Sequence, residues 1–361
     1  INGQTGGTAN SNQFANPDLK PVSIKEYEVG LNLAFMSNRL SFDMAYYNKN
    51  TTDDIAVVTT SSASGFGSKY MNVGEIRNQG FEFMVNATPV HTKNFSWETT
   101  FNFAYNDSEV KYLGGVKSLS IDGASARSGN VTVRNIVGQP YGMLVGYKYA
   151  RDEQGRVIHK NGIPQATDEL QNLGNGVYKY TGGCPTVNGF RDFSLSFLID
   201  YKAGASLFSG TNYSLYSEGL HKGTLLGRTV DNPGGSGFIG AGVMIDDNGK
   251  ILGENNVAVN AQDYHKGIVN NNIAEEFVYN ASFIKLRELS LGYTFPQSVL
   301  NKMKVVKGLS VSLVGRNLWT ILKHTDNIDP ESAYNNTNGQ GLELNGYPAT
   351  RNIGFNVNVK F

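Results

Sequence analysis

Polarity alternates with period two over long stretches of this chain. Val29, Leu31, Leu33 and Phe35 are interleaved with Gly30, Asn32 and Ala34, and Leu40, Phe42, Met44 and Tyr46 with Ser41, Asp43 and Ala45. The same reading holds where Phe81, Phe83 and Val85 oppose Glu82, Met84 and Asn86, and where Phe101, Phe103 and Tyr105 oppose Glu98, Thr100 and Asn102. It returns at Phe193–Tyr201, Leu289–Phe295 and Leu309–Leu313. Each stretch predicts a strand with one apolar and one polar face. The final residues are the strictest case: Ile353, Phe355, Val357, Val359 and Phe361 lie on one face, Gly354, Asn356, Asn358 and Lys360 on the other. Helical periodicity longer than two turns is absent outside Gln297–Lys304, so the pattern predicts an all-β chain.

The connections are asymmetric. Ser37–Arg39 and His91–Asn94 are tight turns, whereas residues 113–138, 218–276 and 321–346 are long connections. Nine crossings are predicted, at about 22–36, 40–56, 71–89, 95–112, 139–150, 191–217, 277–295, 307–320 and 347–361. Two less regular ones between 151 and 190 bring the total to about eleven. Short turns alternating with long loops suit an outer-membrane barrel better than a sandwich. The apolar faces would then meet lipid and the polar faces a wet lumen, with rings such as Tyr46, Tyr47, Phe95, Trp97, Tyr293, Phe295 and Trp319 at the interfaces. First and last strands would both run toward the short-turn side, which requires an odd count, while bacterial single-chain barrels have an even one. An open edge in lipid leaves backbone groups unpaired. The expectation is therefore a transmembrane antiparallel β-barrel of which residues 1–361 form only the C-terminal part, with long extracellular loops.

Composition fits this reading. The 361 residues carry 31 Lys+Arg against 31 Asp+Glu, and charged residues make up 17%, below the roughly 25% usual for soluble domains. Gly reaches 42, Tyr 19 and Phe 19. No basic surplus points to nucleic acid, and the aromatic content argues against disorder. Cys184 stands alone, which excludes a disulfide framework. There is no apolar run long enough for a transmembrane helix. Ile1 opens a polar stretch with no basic or apolar leader, so no signal peptide is expected here. A lipid-facing wall rejects charge at about 2–4 kcal/mol per midplane Lys or Arg, which would account for the thin charge.

Several ordered blocks resemble TonB-dependent outer-membrane transporters. Asn16-Pro17-Asp18-Leu19-Lys20-Pro21 followed by Tyr27-Glu28-Val29-Gly30 is similar to the N-P-x-L-K-P-E…E-x-G signature, with Val22 in place of the usual Glu. Asn72-Val73-Gly74 with Asn78-Gln79-Gly80-Phe81-Glu82 resembles the N-x-G…N-x-G-x-E block. More specifically, the chain resembles the SusC/RagA branch, through Gly138-Gln139-Pro140, Ala281-Ser282-Phe283-Ile284-Lys285-Leu286-Arg287, Gly315-Arg316-Asn317-Leu318 and Asp329-Pro330-Glu331. The resemblance departs near Cys184-Pro185, where a strand looks truncated. It implies a barrel of about 22 strands with an N-terminal plug, of which plug and TonB box are absent from this sequence. It also implies a SusD-like surface lipoprotein lid, energy from TonB-ExbB-ExbD, an outer-membrane location and import of oligosaccharides or peptides.

Catalytic chemistry is not expected. The five histidines, His91, His159, His221, His265 and His324, show no metal-ligand spacing. Gly235-Ser236-Gly237-Phe238-Ile239-Gly240 matches a nucleotide fingerprint in letters alone, and Asp246-Asp247-Asn248-Gly249-Lys250 reads as a turn rather than a calcium loop. No enzyme activity, metal or cofactor is predicted. Four carboxylates, Asp43, Glu82, Glu98 and Asp200, fall on the luminal register, where they would tune solute passage or hydrogen-bond along the wall. Lys285 and Arg287 fall on the lipid-side register, where snorkelling at the interface would accommodate them. Cargo-contact candidates are Tyr264, Tyr334, Asn335, Asn336 and Tyr347, planar groups in loops that could equally pack on each other or on the lid. Phe355, Val357, Val359 and Phe361 form the expected C-terminal barrel-assembly signal. The rival readings are a self-contained passive porin, which needs a closed strand set within these residues, and a secreted β-sandwich adhesin or glycan-binding module, whose aromatic face would point into a dry interior.

Overall fold

The structure is a computed structural model, and it describes residues 13–14, 16–59, 66–126, 129–229, 235, 237–303, 305–332 and 339–361. Its frame is one large sheet of nine sequential strands: β1 (Ser23–Phe35), β2 (Leu40–Thr59), β3 (Ser68–His91), β4 (Phe95–Leu113), β5 (Tyr180–Phe190), β6 (Phe193–Ala203), β7 (Phe283–Thr294), β8 (Gly308–Lys323) and β9 (Asn352–Lys360). Each pairs antiparallel with the next. A two-residue segment, Gln13–Phe14, adds parallel to Ser68–Lys69.

Period-two alternation in each strand becomes a continuous face once the registers are fixed. Leu31 lies opposite Met44, Met44 opposite Phe83, and Phe83 opposite Phe103. Farther along, Leu195 pairs with Leu291, Leu291 with Leu313, and Leu313 with Phe355. The strands turn tightly on one side. At the first turn Met36, Ser37 and Asn38 all adopt positive φ and the Arg39 amide donates to the Met36 carbonyl at 3.2 Å. The Arg39 guanidinium then donates to the carbonyls of Thr88 and Pro89, tying this turn to β3.

The expected transmembrane β-barrel part of about eleven strands is not what these residues form. The sheet is open: β1 and β9 are its two edges and do not pair with one another, and the wall holds nine strands rather than about eleven. The difference arises between residues 139 and 190. The crossing expected at 139–150 is a four-residue strand, Met143–Gly146, in a separate small sheet with Ser118–Ser125, Thr132–Ile136 and Gln171–Asn175. Residues 151–179 contribute the short strands Ile158–Lys160 and Ile163–Pro164 to another small sheet, and Tyr180–Phe190 alone crosses. The Gly and Asn positions that break apolar alternation there close short hairpins, with positive φ at Gly155, Asn161 and Gly162.

Helices occur where alternation gave no warning. These are α1 (Gly210–Ser217), α2 (Ala261–Asn270) and α3 (Gln297–Leu300), the last on the weak helical stretch that the sequence indicates. The long connections on the side away from the tight turns fold into a compact module. Its dry core comprises Val131, Val133, Leu144, Phe208, Tyr216, Ile268, Val269, Ile273, Ala274, Phe277 and Leu342. The wall is the inverse of this. Phe355 is 79% exposed and Phe361 75%, with Val357 and Val359 also exposed, so the sandwich expectation of a buried aromatic face fails.

Candidate functional site: the polar wall face and its ion-paired loop

The polar face carries a graded set of side chains. Asp43 on β2 accepts a hydrogen bond from the Asn32 amide at 3.3 Å. Glu82 sits one strand over, opposite Ala45 and Ala104. Asp43 and Glu82 line one shallow depression with Met84 and Asn102. A second depression toward the loop side brings Glu82 together with Glu26, Glu28, Tyr47, Lys49 and Asn106. Tyr47 reaches across to donate to the Asn106 side chain at 2.8 Å. Gly80 makes that possible, because a Cβ there would lie 2.4 Å from the Tyr47 hydroxyl. Glu98 stands apart, opposite Val187.

Asp200 belongs to a different arrangement, and its partners correct the expectation for Lys285 and Arg287. Counting back by twos from Leu291 and Leu289 puts both cations on the apolar face. A β-bulge intervenes: Leu198 pairs with Glu288 but Ile199 with Leu286, so Arg287 is the extra residue. The shift returns Leu286 and Ile284 to the apolar face, opposite Ile199 and Tyr201, and turns Lys285 to the polar face opposite Asp200. Lys285 is buried and donates to both oxygens of Asp329 at 2.7 and 2.9 Å and to Glu331 at 2.7 Å. Arg287 donates to Asp200 and, at 2.7 Å, to Glu331. These residues clamp the loop after β8 against β6 and β7; none snorkels.

The clamp shapes its surroundings. Lys202 approaches Glu331 at 3.4 Å and lies over the Tyr178 ring at 5.5 Å. Tyr178 donates to the Pro330 carbonyl at 3.0 Å. Burial, reinforced by Glu331 and Asp329, pushes its hydroxyl well above the usual tyrosine range. Burial alone would raise the Glu331 carboxyl, but hydrogen bonds and charge from Lys285 and Arg287 outweigh it and hold Glu331 below its ordinary value. A second buried carboxylate, Glu343, accepts from the Ser209 and Thr211 hydroxyls at 2.9 and 2.6 Å and from the Thr211 and Gly346 amides. Ser209 is itself the N-cap of α1, so Glu343 fastens residues 339–351 to the start of that helix.

The motif blocks acquire physical roles in the same way. Asn72 accepts from the Lys20 amide and donates to the Lys20 and Asp53 carbonyls, and Asn16 donates to the Tyr70 carbonyl. The Asn16–Pro21 segment is thus pinned to β3. Asp246 accepts from the Asn248 and Lys250 amides, which makes residues 246–250 the turn that the sequence indicates.

The cargo candidates separate. Tyr264 lies on α2, half-buried, edge-on to Phe238 at 4.7 Å and stacked on His159 at 5.9 Å. Tyr347 is almost fully exposed. Tyr334, Asn335 and Asn336 lie outside the described residues. Phe355, Val357 and Val359 extend the apolar face as the outermost strand, opposite Leu313, Val311 and Leu309. Among the described residues there is no group of three or more His, Cys, Asp or Glu that could hold a metal. Sequence reasoning placed Asp200 on the polar face but missed Asp329 and Glu331 as partners of the two cations, and Glu343. The available signal was the cost of two cations on a lipid register, which calls for nearby acids.

Comparison with known proteins fits this geometry. TonB-dependent receptor P3 of Formosa agariphila is 27% identical across 96% of this chain, and SusC of Bacteroides thetaiotaomicron 24% identical across 96%. The chain spans 35% and 32% of their lengths, about a third. The RagAB peptide importer in its open-open state shares the fold, with a TM-score of 0.70 at 22% identity over 96% of this chain and 35% of that one. The closed-closed state of the same importer gives 0.68 at 22% identity over 96% of this chain and 36% of that one. A family model described as TonB dependent receptor-like, beta-barrel, matches residues 1–318. The chain belongs to the TonB-dependent receptor-like β-barrel family of the outer membrane.

Proposed function

We propose that this chain supplies wall and external loops to an energy-coupled importer that carries oligosaccharides or peptides across the outer membrane. The observation that carries this reading is the division of the sheet into a continuous exposed apolar face and a polar face, with the loop module gathered at one end. An exposed apolar surface of this extent is foreign to soluble monomers, whose patches are typically a few hundred Å², and lipid is the environment that fits it. The polar face, with Asp43, Glu82 and Asn102, would line the route, and Tyr264 and Tyr347 would stand on its outer side. Resemblance to SusC and RagAB supports a SusD-like lipoprotein lid over the loop module and coupling to TonB-ExbB-ExbD. A self-contained porin is disfavoured because the sheet is not closed within these residues.

The test is uptake of labelled oligosaccharide and peptide pools by cells expressing the protein, with and without a proton-gradient uncoupler. Import that depends on the protein and stops with the uncoupler supports the proposal. Protein-dependent uptake that survives the uncoupler supports the porin instead.

A further inference from the structure

Two buried histidines of the loop module are held neutral: a proton would cost one a contact and leave the other an N–H without an acceptor among the described residues. His221 follows α1 and is 5% exposed. Its Nδ1 accepts the Gly223 amide at 3.0 Å, which places the ring proton on Nε2, and Nε2 has no hydrogen-bond partner among the described residues. His265 on α2 is 4% exposed. Its ring Nε2 lies 3.0 Å from the Leu226 carbonyl, an acceptor only, so Nε2 donates. Its Nδ1 is a buried lone pair without a hydrogen-bond partner among the described residues. The two rings sandwich Tyr216, at 4.7 Å from His221 and 6.0 Å from His265.

The charged neighbours offer little relief to an added proton. Glu276, from the turn after α2, faces both rings, but its oxygens already accept from the Tyr149 and Tyr216 hydroxyls at 2.8 Å. Asp326 faces His221 but is paired with Lys222 at 3.0 Å, and Lys222 itself opposes a second positive charge. Arg228 opposes one at His265. Protonating His221 would break its acceptor bond to Gly223. Protonating His265 would create an N–H with no acceptor among the described residues. Both changes put charge into an apolar, aromatic pocket.

We propose that His221 and His265 form an acid-released latch, holding residues 218–229 against α2 while both rings are neutral. The Leu226 carbonyl bond is a direct tie between those two segments. Burial lowers the proton affinity of both rings in the latched state, whereas rings released to water titrate near pH 6.5. The latched state therefore binds fewer protons, and the open state gains as pH falls through about 6.5. This goes beyond the transport proposal and stands whichever cargo passes.

Hydrogen exchange on the full chain in detergent micelles tests it, with protection factors corrected for the intrinsic pH dependence of exchange. The comparison is wild type against His221→Asn/His265→Gln, whose amides can keep the Gly223 and Leu226 bonds but do not titrate. Wild type should lose protection about tenfold or more in residues 218–229 and 261–270 between pH 7.5 and 5.0, with the wall strands unchanged. The double variant should keep its protection. No loss in wild type, or equal loss in the variant, overturns the latch. If the variant is unprotected even at pH 7.5, the wild-type profile decides: a midpoint above about pH 5 supports the histidines, and a loss confined to the carboxylate range below about pH 4.5 overturns them.

Discussion

Lys285 and Arg287 show how much one inserted residue decides. On strict alternation they would face lipid; with the bulge at Arg287 they face acids. Lys285 meets Asp329 and Glu331 at 2.7 Å with almost no exposed surface, so removing its charge takes from Asp329 its ion-pair partner and leaves Glu331 with Arg287 and Lys202. Breaking a buried pair typically costs about 3–5 kcal/mol, and partial exposure of the acids reduces that here. Lys285→Met should therefore destabilise the loop after β8 by about 2–3 kcal/mol, read as faster proteolysis near residues 324–332 with the wall intact. The Glu331 carboxyl is held low, so its contribution is complete above its ordinary range and is lost as pH falls through the depressed value. Protease sensitivity of the same loop should rise only in acid below about pH 4.5, a lower window than that of the histidine latch. Gly80 is a second residue with a defined role. Gly80→Ala would drive a methyl into the Tyr47 ring and the Tyr105 carbonyl, costing about 1–3 kcal/mol, measurable as a lower denaturation midpoint that Tyr47→Ala partly restores.

At the scale of elements, legibility depended on whether one face of a segment meets a uniform environment. β1, β2, β4, β8 and β9 each carry a run of alternating apolar residues on one side, and period two marks them within a few residues. Residues 139–179 do not; their apolar positions, such as Met143, Leu144 and Val145, are buried together in a loop sheet, which reads as a short crossing. Helix α2 was hidden because its apolar residues Ile268 and Val269 serve a core assembled from distant loops. A local signal did exist: Asn260 caps the helix by accepting from the Gln262 amide at 2.8 Å, with Asp263 in the first turn. Asn260→Ala should cost about 1 kcal/mol, seen as reduced exchange protection confined to α2. The clamp and Glu343 were illegible for another reason: their partners lie more than forty residues apart in the chain, and no pattern within a strand or loop announces them.

For the whole molecule, the thin charge and the abundance of Gly and Asn follow from a wall with two different surroundings. Dry packing belongs to the loop module, and the wall leaves its apolar side exposed. The central claim is that this apolar face meets lipid while its opposite face is wet, even though the sheet in this chain is open. Adjacent positions on β8 separate the two most cleanly, because Leu313 pairs with Leu291 and Phe355 while Ser312 pairs with Gly292 and Asn356. Spin labels at Leu313 and at Ser312, in protein reconstituted into bilayers, should report opposite accessibilities. The label at Leu313 should relax with oxygen dissolved in lipid and the label at Ser312 with a water-soluble nickel chelate. Equal exposure of both labels to the chelate, or the reverse assignment, would contradict the account.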